Sequence, residues 1–164
     1  MAKKKGLLLR LLGVDTNQKD AKKSESRRSL HFAVAGLYRR MEAFYAVAQR
    51  HRDFGLSDAD FIAKHDNGRG VYEYRLKRSS EVSLLPEPEN QHDRNAIAVY
   101  IDGKQLGYVP AELTADVRQI MSRDYAVRAY VSGGARKRVV DGRVFTDSYD
   151  LTLNVEMGAP NELC

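Results

Sequence analysis

Alternating apolar positions in the second half of the chain predict a β hairpin. Within the stretch NAIAVYIDGKQLGYVP, Ile97, Val99 and Ile101 occupy every second position, the spacing that places side chains on one face of a strand. Asp102-Gly103 follows, and this dipeptide supplies the two positive-φ positions of a type I′ turn. The pattern therefore predicts two antiparallel strands joined by a two-residue turn.

Apolar residues recur at helical spacing in three other segments. The first helix is predicted within 41–54, and the second within 58–66, where Ser57 or Asp58 can cap its N-terminus. The third is predicted to begin at Pro110, a residue that suits the first turn of a helix. Its apolar stripe consists of Leu113, Val117, Ile120 and Met121.

Short apolar runs bounded by turn residues predict further strands. These runs lie at 30–38, 71–77, 81–88, 126–140 and 143–155, and an Asp141-Gly142 turn joins the last two. Short strands with tight turns and a few helices are typical of a small, partly open β-barrel of the OB or SH3-like kind. The predicted fold is therefore mainly β, of the α+β class, with two or three flanking or inserted helices.

The basic residues are concentrated at the N-terminus. The 164-residue chain has a net charge of +5, but residues 1–29 hold nine Lys and Arg against three Asp and Glu, which leaves the remainder near neutral. We therefore predict a disordered basic tail at 1–29, a domain at 30–157 with a helical insertion about 41–70, and a C-terminal tail at 158–164. In two alternatives the tail anchors the protein to DNA or an anionic surface, or Leu7–Leu12 docks on a partner.

Cysteine content and hydropathy bear on the compartment. The single cysteine, Cys164, excludes an internal disulfide and a thiolate-rich zinc site, and it suits a reducing compartment. No segment approaches the roughly 18 consecutive apolar residues that a membrane span needs. We therefore predict a cytoplasmic protein, with association to the nucleoid as an alternative.

One motif resembles a known family. The segment EPENQHDRNAIAVYIDGKQLGYVPAEL, Glu87 to Leu113, resembles the signature of the HIRAN domain, and HFAVAGLY resembles the first strand of that domain. The resemblance covers about 32–157. It implies a small β-barrel related to the oligonucleotide-binding type, and capture of the 3′-hydroxyl end of single-stranded DNA.

The resemblance also implies which residues bind DNA. The family's first-strand Arg-Tyr pair falls on Tyr38-Arg39 in reversed order, and its Tyr-Asp pair falls on His92-Asp93. The aromatic residue that leads the last strand becomes Phe145. We therefore expect these five residues to form the binding site, with weaker stacking where histidine replaces tyrosine.

The chemistry of these side chains fits a terminal nucleotide. Tyr38, His92 and Phe145 offer planes on which a base can stack, and Arg39 can stack or bind a phosphate. Asp93 would repel a phosphate, so in a DNA site it makes sense as the acceptor of a hydrogen bond from a free 3′-hydroxyl. In the alternative, structural role, Asp93 ties down amides of its own loop.

Further basic residues are candidates for phosphate contacts. Arg94 lies within the motif, and Arg136, Lys137 and Arg138 form a cluster on a predicted strand, although a solvated surface is the simpler interpretation of that cluster. A lysine of the family is replaced by Ala111, so one phosphate contact is lost.

No catalytic group stands out. The four histidines lack metal-ligand spacing, and a phosphate-binding Gly loop is absent. Glu87 and Glu89 beside His92-Asp93 could in principle hold a divalent ion for nuclease chemistry, but one loop cannot easily aim all four groups at one point. We therefore predict a protein that is not an enzyme and needs no cofactor or metal.

The prediction for function is a single-stranded DNA-binding module that captures 3′-hydroxyl ends during replication, repair or fork processing. Its expected partners are single-stranded DNA and a helicase, nuclease or other repair protein, and no membrane. The alternative is a protein–protein interaction module whose basic tail supplies nonspecific DNA affinity.

Overall fold

A computed structural model describes residues 29–163, so the predictions for the N-terminal tail and for Cys164 lie outside the described residues. The strands of the described part are β1 Ser29–Ala33, β2 Gln49–Arg50, β3 Val71–Tyr72, β4 Tyr74–Arg75, β5 Val82–Pro86, β6 Ile97–Ile101, β7 Lys104–Tyr108, β8 Ala126–Val140 and β9 Arg143–Gly158. The helices are α1 Met41–Val47, α2 Asp58–His65 and α3 Thr114–Met121, with short 3₁₀ turns between elements.

These strands form three sheets within the described residues. Their orders are β1-β9-β8-β3, β5-β6-β7 and β2-β4. No closed barrel is formed among them, which agrees with a partly open arrangement. The prediction of a mainly β protein with two or three helices is confirmed.

Both predicted Asp-Gly turns are present. Asp102 and Gly103 have φ angles of 47° and 76°, and Asp141 and Gly142 have 49° and 69°. These left-handed values are those of type I′ turns, whose twist matches that of the flanking strands. The first turn is also tied to the start of β5, because the Asp102 carboxylate accepts from the amide of Glu81, the residue before that strand, at 2.8 Å.

The main core lies around β6, which is the middle strand of its sheet. Ile97, Val99 and Ile101 have no exposed surface, and they pack with residues of the helices and of the long β8–β9 hairpin. Each fully buried side chain of this size contributes about 1.5–3 kcal/mol to folding. A second, smaller core contains Phe61 of α2, Val71 and Val139.

A bulge divides the β8–β9 hairpin into two halves. The register shifts between Ser132 and Gly134, and a β-carbon at Gly133 would overlap the Asp150 carbonyl oxygen. β8 thus runs first past the main core and then past the smaller core before it reaches the turn at 141–142. The outer half is called here the distal half of the hairpin, residues 134–149.

Three predicted boundaries are wrong. The first strand ends at Ala33 rather than near residue 38, because Gly36 turns left-handed at φ 78° and starts a 3₁₀ turn at Leu37–Arg40. The first helix ends at Val47, because Ala48 is extended and the chain then pairs with β4.

The third boundary concerns the strand predicted at 71–77. It divides into β3 and β4 because the chain changes partners at Glu73. The Glu73 amide donates to Ala135 of β8 at 2.9 Å, whereas its carbonyl accepts from the His51 amide at 2.7 Å.

Candidate nucleic-acid interface

A backbone crossing positions the segment that carries Tyr38. The Ala35 amide donates to the Tyr108 carbonyl at 2.8 Å, and the Tyr108 amide donates back to Ala35 at 3.0 Å. Gly107 sits beside this bridge with φ 150°, where a β-carbon would overlap the Ala35 carbonyl oxygen. Only glycine allows the two chains to come this close here, so the motif glycine fixes where the Tyr38 turn leaves the sheet.

A cleft of about 590 Å³ opens next to this crossing. Its walls are Ala35, Gly36, Tyr38, Arg39, Arg40, His92, Gly107 and Tyr108. The volume lies within the range of small-ligand pockets. Three of the predicted DNA-binding residues, Tyr38, Arg39 and His92, are therefore brought together from two distant parts of the sequence.

Tyr38 and Arg39 form a pair at the rim of the cleft. The Tyr38 side chain is 72% exposed. The Arg39 Nε donates to the Tyr38 hydroxyl at 2.9 Å, and the guanidinium carbon lies 5.5 Å from the ring centroid. An exposed pair of this kind adds little to stability, but it presents an aromatic plane and a cation at the same place.

Asn90 organises the polar loop on the other side of the cleft. Its Oδ1 accepts from the backbone amides of His92 at 2.9 Å and Asp93 at 3.1 Å. Its Nδ2 donates to the Glu87 carboxylate at 2.8 Å. This role of Asn90 was not predicted from the sequence, although an Asn two residues before a turn amide is the usual signal for it.

Asp93 is half-buried and has a structural role as well. Its Oδ1 accepts from the Asn95 amide at 2.8 Å, which confirms the structural alternative for one oxygen. A carboxylate has two oxygens and about four acceptor positions, so this bond does not exhaust its capacity. The Asn95 carbonyl in turn accepts from Arg118 of α3 at 3.2 Å, which ties the loop to the helix.

A second depression lies within the loop itself. It measures about 310 Å³ and is lined by residues 88–94, among them His92, Asp93 and Arg94. His92 is exposed and lines both this depression and the cleft beside Tyr38. The two depressions are therefore neighbours, with His92 between them.

The other predicted DNA-binding residues lie in the distal half of the hairpin. Arg138 pairs directly with Phe145 across the two strands, and Arg136 and Lys137 pair with β3. Among the described residues that line the cleft, none comes from this half. The predicted residues thus form two groups rather than one.

Within the distal group, the side chains differ in direction. The Arg138 Nε donates to Asp147 Oδ2 at 2.6 Å, and this bond lowers the pKa of the Asp147 carboxyl. The Lys137 ammonium instead lies 5.7 Å from the Phe61 ring centroid, on the side of the smaller core.

Within residues 29–163, no group of three or more His, Cys, Asp or Glu side chains is placed to hold a metal ion. No helix in this part of the chain is long and apolar enough to cross a membrane.

Comparison with known proteins identifies a family. The family model of the HIRAN domain matches residues 65–149, which is more than half of the chain and includes the whole polar loop. No curated protein and no solved structure matches the chain. The HIRAN domain is a DNA-binding domain. The chain therefore belongs to the HIRAN domain family and is a nucleic-acid-binding module.

Proposed function

We propose that this protein captures the 3′-hydroxyl end of single-stranded DNA in the cleft beside Tyr38. The observation that carries the proposal is the meeting of Tyr38, Arg39 and His92 at the cleft, with Asp93 next to His92 in the adjoining depression. These groups supply the parts that a terminal nucleotide requires, namely stacking planes, a cation and a carboxylate acceptor.

Each side chain has a separate task. The Tyr38 ring and the His92 imidazole stack on the terminal base, where stacking contributes about 1–3 kcal/mol per base. Arg39 and Arg94 contact phosphates, and an arginine can do so through two parallel hydrogen bonds. Since Tyr38 is largely exposed, its ring is accessible to a base without rearrangement of the core.

Asp93 provides the selectivity for an end. A carboxylate repels phosphate, but it accepts a hydrogen bond from a free hydroxyl, which an internal nucleotide of DNA lacks. The Asn95 amide bond holds one Asp93 oxygen, and the Asn90 side chain holds the amide of Asp93 itself. The acceptor is thus pre-organised, so little freedom is lost when the end binds.

The experiment compares a linear single strand with a circularised strand of the same sequence, using the full-length protein at fixed salt. The linear strand is expected to bind more tightly, and the Asp93→Asn variant is expected to bind the two strands alike. Equal binding of both strands by the unaltered protein would contradict end capture and leave a general single-strand binder.

The proposed cellular role is to hold a strand end, since the protein is proposed to bind the end and not to catalyse a reaction on it. The protein would act in the cytoplasm as an accessory in replication, repair or fork processing, with association to the nucleoid as the alternative. Its partner would be a helicase, a nuclease or another repair protein that works on the captured strand.

A further inference from the structure

One face of the β8–β9 hairpin is left uncovered by both cores. On β8, Val127, Ala129 and Val131 pack against the main core, and Val139 packs in the smaller core. These residues are all odd-numbered, and alternate residues of a strand point to opposite faces. On either side of the bulge, the even-numbered residues of β8 therefore point away from the core that their odd-numbered neighbours contact.

On β9 the bulge shifts the register by one residue, so the odd-numbered residues beyond it pair with the even-numbered residues of β8. Beyond it, Gly134 pairs with Tyr149, Arg136 with Asp147 and Arg138 with Phe145. Residues paired directly across two strands lie on the same face. Tyr149 and Phe145 therefore lie on the outer face of the distal half with the two arginines.

The third strand of this half adds another aromatic residue. Tyr72 of β3 pairs directly with Arg136, so it lies on the same outer face. Tyr72, Phe145 and Tyr149 are 42%, 45% and 51% exposed. The residues Tyr72, Arg136, Arg138, Phe145 and Tyr149 are called here the hairpin platform.

The arginines of the hairpin platform are held beside its aromatic rings. The guanidinium carbon of Arg136 lies 5.5 Å from the Tyr72 ring centroid, and that of Arg138 lies 6.0 Å from the Phe145 centroid. Gly70 makes room for Arg136, because a β-carbon there would overlap the guanidinium group. Both cations therefore lie beside aromatic rings. The Asp147 carboxylate, which pairs with Arg136 and accepts from Arg138, lies on the same face and neutralises part of this charge.

The Arg136 side chain is also incompletely satisfied. Its Nε is buried and has no hydrogen-bond partner among the described residues. The guanidinium group has five N–H donors in total. The unpartnered Nε is itself covered, so an anion on this face would be bound by the terminal N–H groups of the guanidinium.

We propose that the hairpin platform is a second binding surface, which holds an internal stretch of single-stranded nucleic acid. Bases stack on the exposed rings, and Arg136 and Arg138 contact the phosphates between them. Interleaved aromatic and basic side chains are the combination that sequence-independent single-strand binding uses. This surface does not depend on end capture at the Tyr38 cleft.

The test uses the full-length protein and labelled single strands of about 4 and about 16 nucleotides, the range of site sizes for one oligonucleotide-binding barrel. All strands carry a 3′-phosphate, so that end capture does not contribute. The Tyr72→Ala, Tyr149→Ala double variant is expected to bind the long strand about tenfold more weakly or worse, because each base that stacks on a ring contributes substantially. The affinity of this variant for the short strand is expected to fall less.

Two controls separate stacking from damage to the fold. Tyr45→Ala removes a tyrosine of similar exposure, 53%, that lies on α1 outside the hairpin platform, and it is expected to change nothing. A Tyr72→Phe, Tyr149→Phe variant keeps both rings and is expected to bind the long strand like the unaltered protein.

The salt dependence gives an independent measurement. Replacing Arg136 and Arg138 with glutamine is expected to reduce the slope of log affinity against log salt by about 0.7 for each lost phosphate contact. Unchanged long-strand binding in the folded double alanine variant would overturn the proposal. Equal weakening by the phenylalanine variant would also overturn it.

Discussion

At the scale of single residues, the polar loop uses the same side chains for structure and for the proposed recognition. Asn90 accepts from two backbone amides and donates to Glu87, and Asp93 accepts from the Asn95 amide. Residue type alone does not separate the two uses, because a side chain that ties down its own loop is also suited to hydrogen-bond a ligand. The polar loop and Asp93 as its acceptor were predicted from the sequence. The hydrogen bonds by which Asn90 holds the loop together were not.

Replacing Asn90 with alanine should therefore destabilise the protein through the loop. Three hydrogen bonds disappear, and two backbone amides lose their acceptor, so we expect a loss of about 1–2 kcal/mol in the free energy of unfolding. Urea denaturation measures this loss. Gln91→Ala, which alters an exposed neighbour in the same loop, is expected to remain within about 0.5 kcal/mol of the unaltered protein.

Asp53 gives the insertion a pH-dependent anchor. Its side chain is only 7% exposed, and it accepts from Lys64 Nζ at 2.8 Å and lies 3.1 Å from His65 Nε2. The hydrogen bond from Lys64 is the main reason that the pKa of Asp53 is lowered. Since the pKa is lower in the folded state, this carboxylate stabilises the fold above its ordinary pKa near 4 and loses that effect as the pH falls.

Denaturation at pH 6 and at pH 3 tests this anchor. The unaltered protein is expected to lose more stability between the two values than the Asp53→Asn variant, whose side chain does not titrate. Asp124→Asn, at an exposed aspartate, should retain the full pH dependence. An Asp53→Asn variant with unchanged pH dependence would show that this carboxylate does not couple folding to pH.

At the scale of elements, local patterns predicted turns and caps well. The two Asp-Gly hairpins and the Ser57 cap of α2, whose side chain accepts from the Asp60 amide, need only a few consecutive residues to form. The first strand was predicted too long, because its alternating residues do not reveal that Ala35 forms a β-bridge with Tyr108. That contact depends on Gly107, far along the sequence.

The two strands and the turn of the distal half were predicted, but their position relative to the cleft could not be predicted, for a similar reason. Family resemblance placed Phe145 with Tyr38 and His92, whereas in the structure Phe145 lies beside Arg138. The separation follows from the length of the hairpin and from the bulge at Gly133, which only the paired strands reveal. Phe145 stays a predicted DNA contact, at a different place on the molecule.

The Gly107→Ala variant tests the crossing that positions the Tyr38 turn. A side chain there would combine a strained φ with an overlap against the Ala35 carbonyl, so we expect a loss of about 2 kcal/mol or more in unfolding free energy and weaker DNA binding. Gly55→Ala is the matched control, because a β-carbon at Gly55 meets nothing within 4 Å. Equal stability of the two variants would contradict the role given to the crossing.

At the scale of the whole molecule, charge is divided between two parts of the chain. Residues 1–29 carry the excess of positive charge, whereas the remainder is nearly neutral. Electrostatic attraction to phosphates is independent of sequence and falls steeply with salt. We therefore expect the N-terminal segment to contribute part of the nonspecific affinity, and the domain to supply the preference for a strand end.

Deleting residues 1–28 separates these contributions. The shortened protein is expected to bind single strands more weakly and with a smaller salt dependence, while its preference for a linear over a circular strand persists. Titrations at two salt concentrations measure both quantities. If all DNA binding disappears with the segment, the domain is instead a protein–protein interaction module, as the alternative from the sequence proposes.

End capture depends on recognition of a terminal hydroxyl by Asp93. Fluorescence anisotropy of the full-length protein with one short single strand, in its 3′-hydroxyl and 3′-phosphate forms at fixed salt, tests this recognition directly. We expect tighter binding of the hydroxyl form, a preference that Asp93→Asn reduces and that Glu89→Gln, an equal change of charge in the same loop, leaves intact. Equal affinity for the two forms, or the same preference in the Asp93→Asn variant, would contradict it.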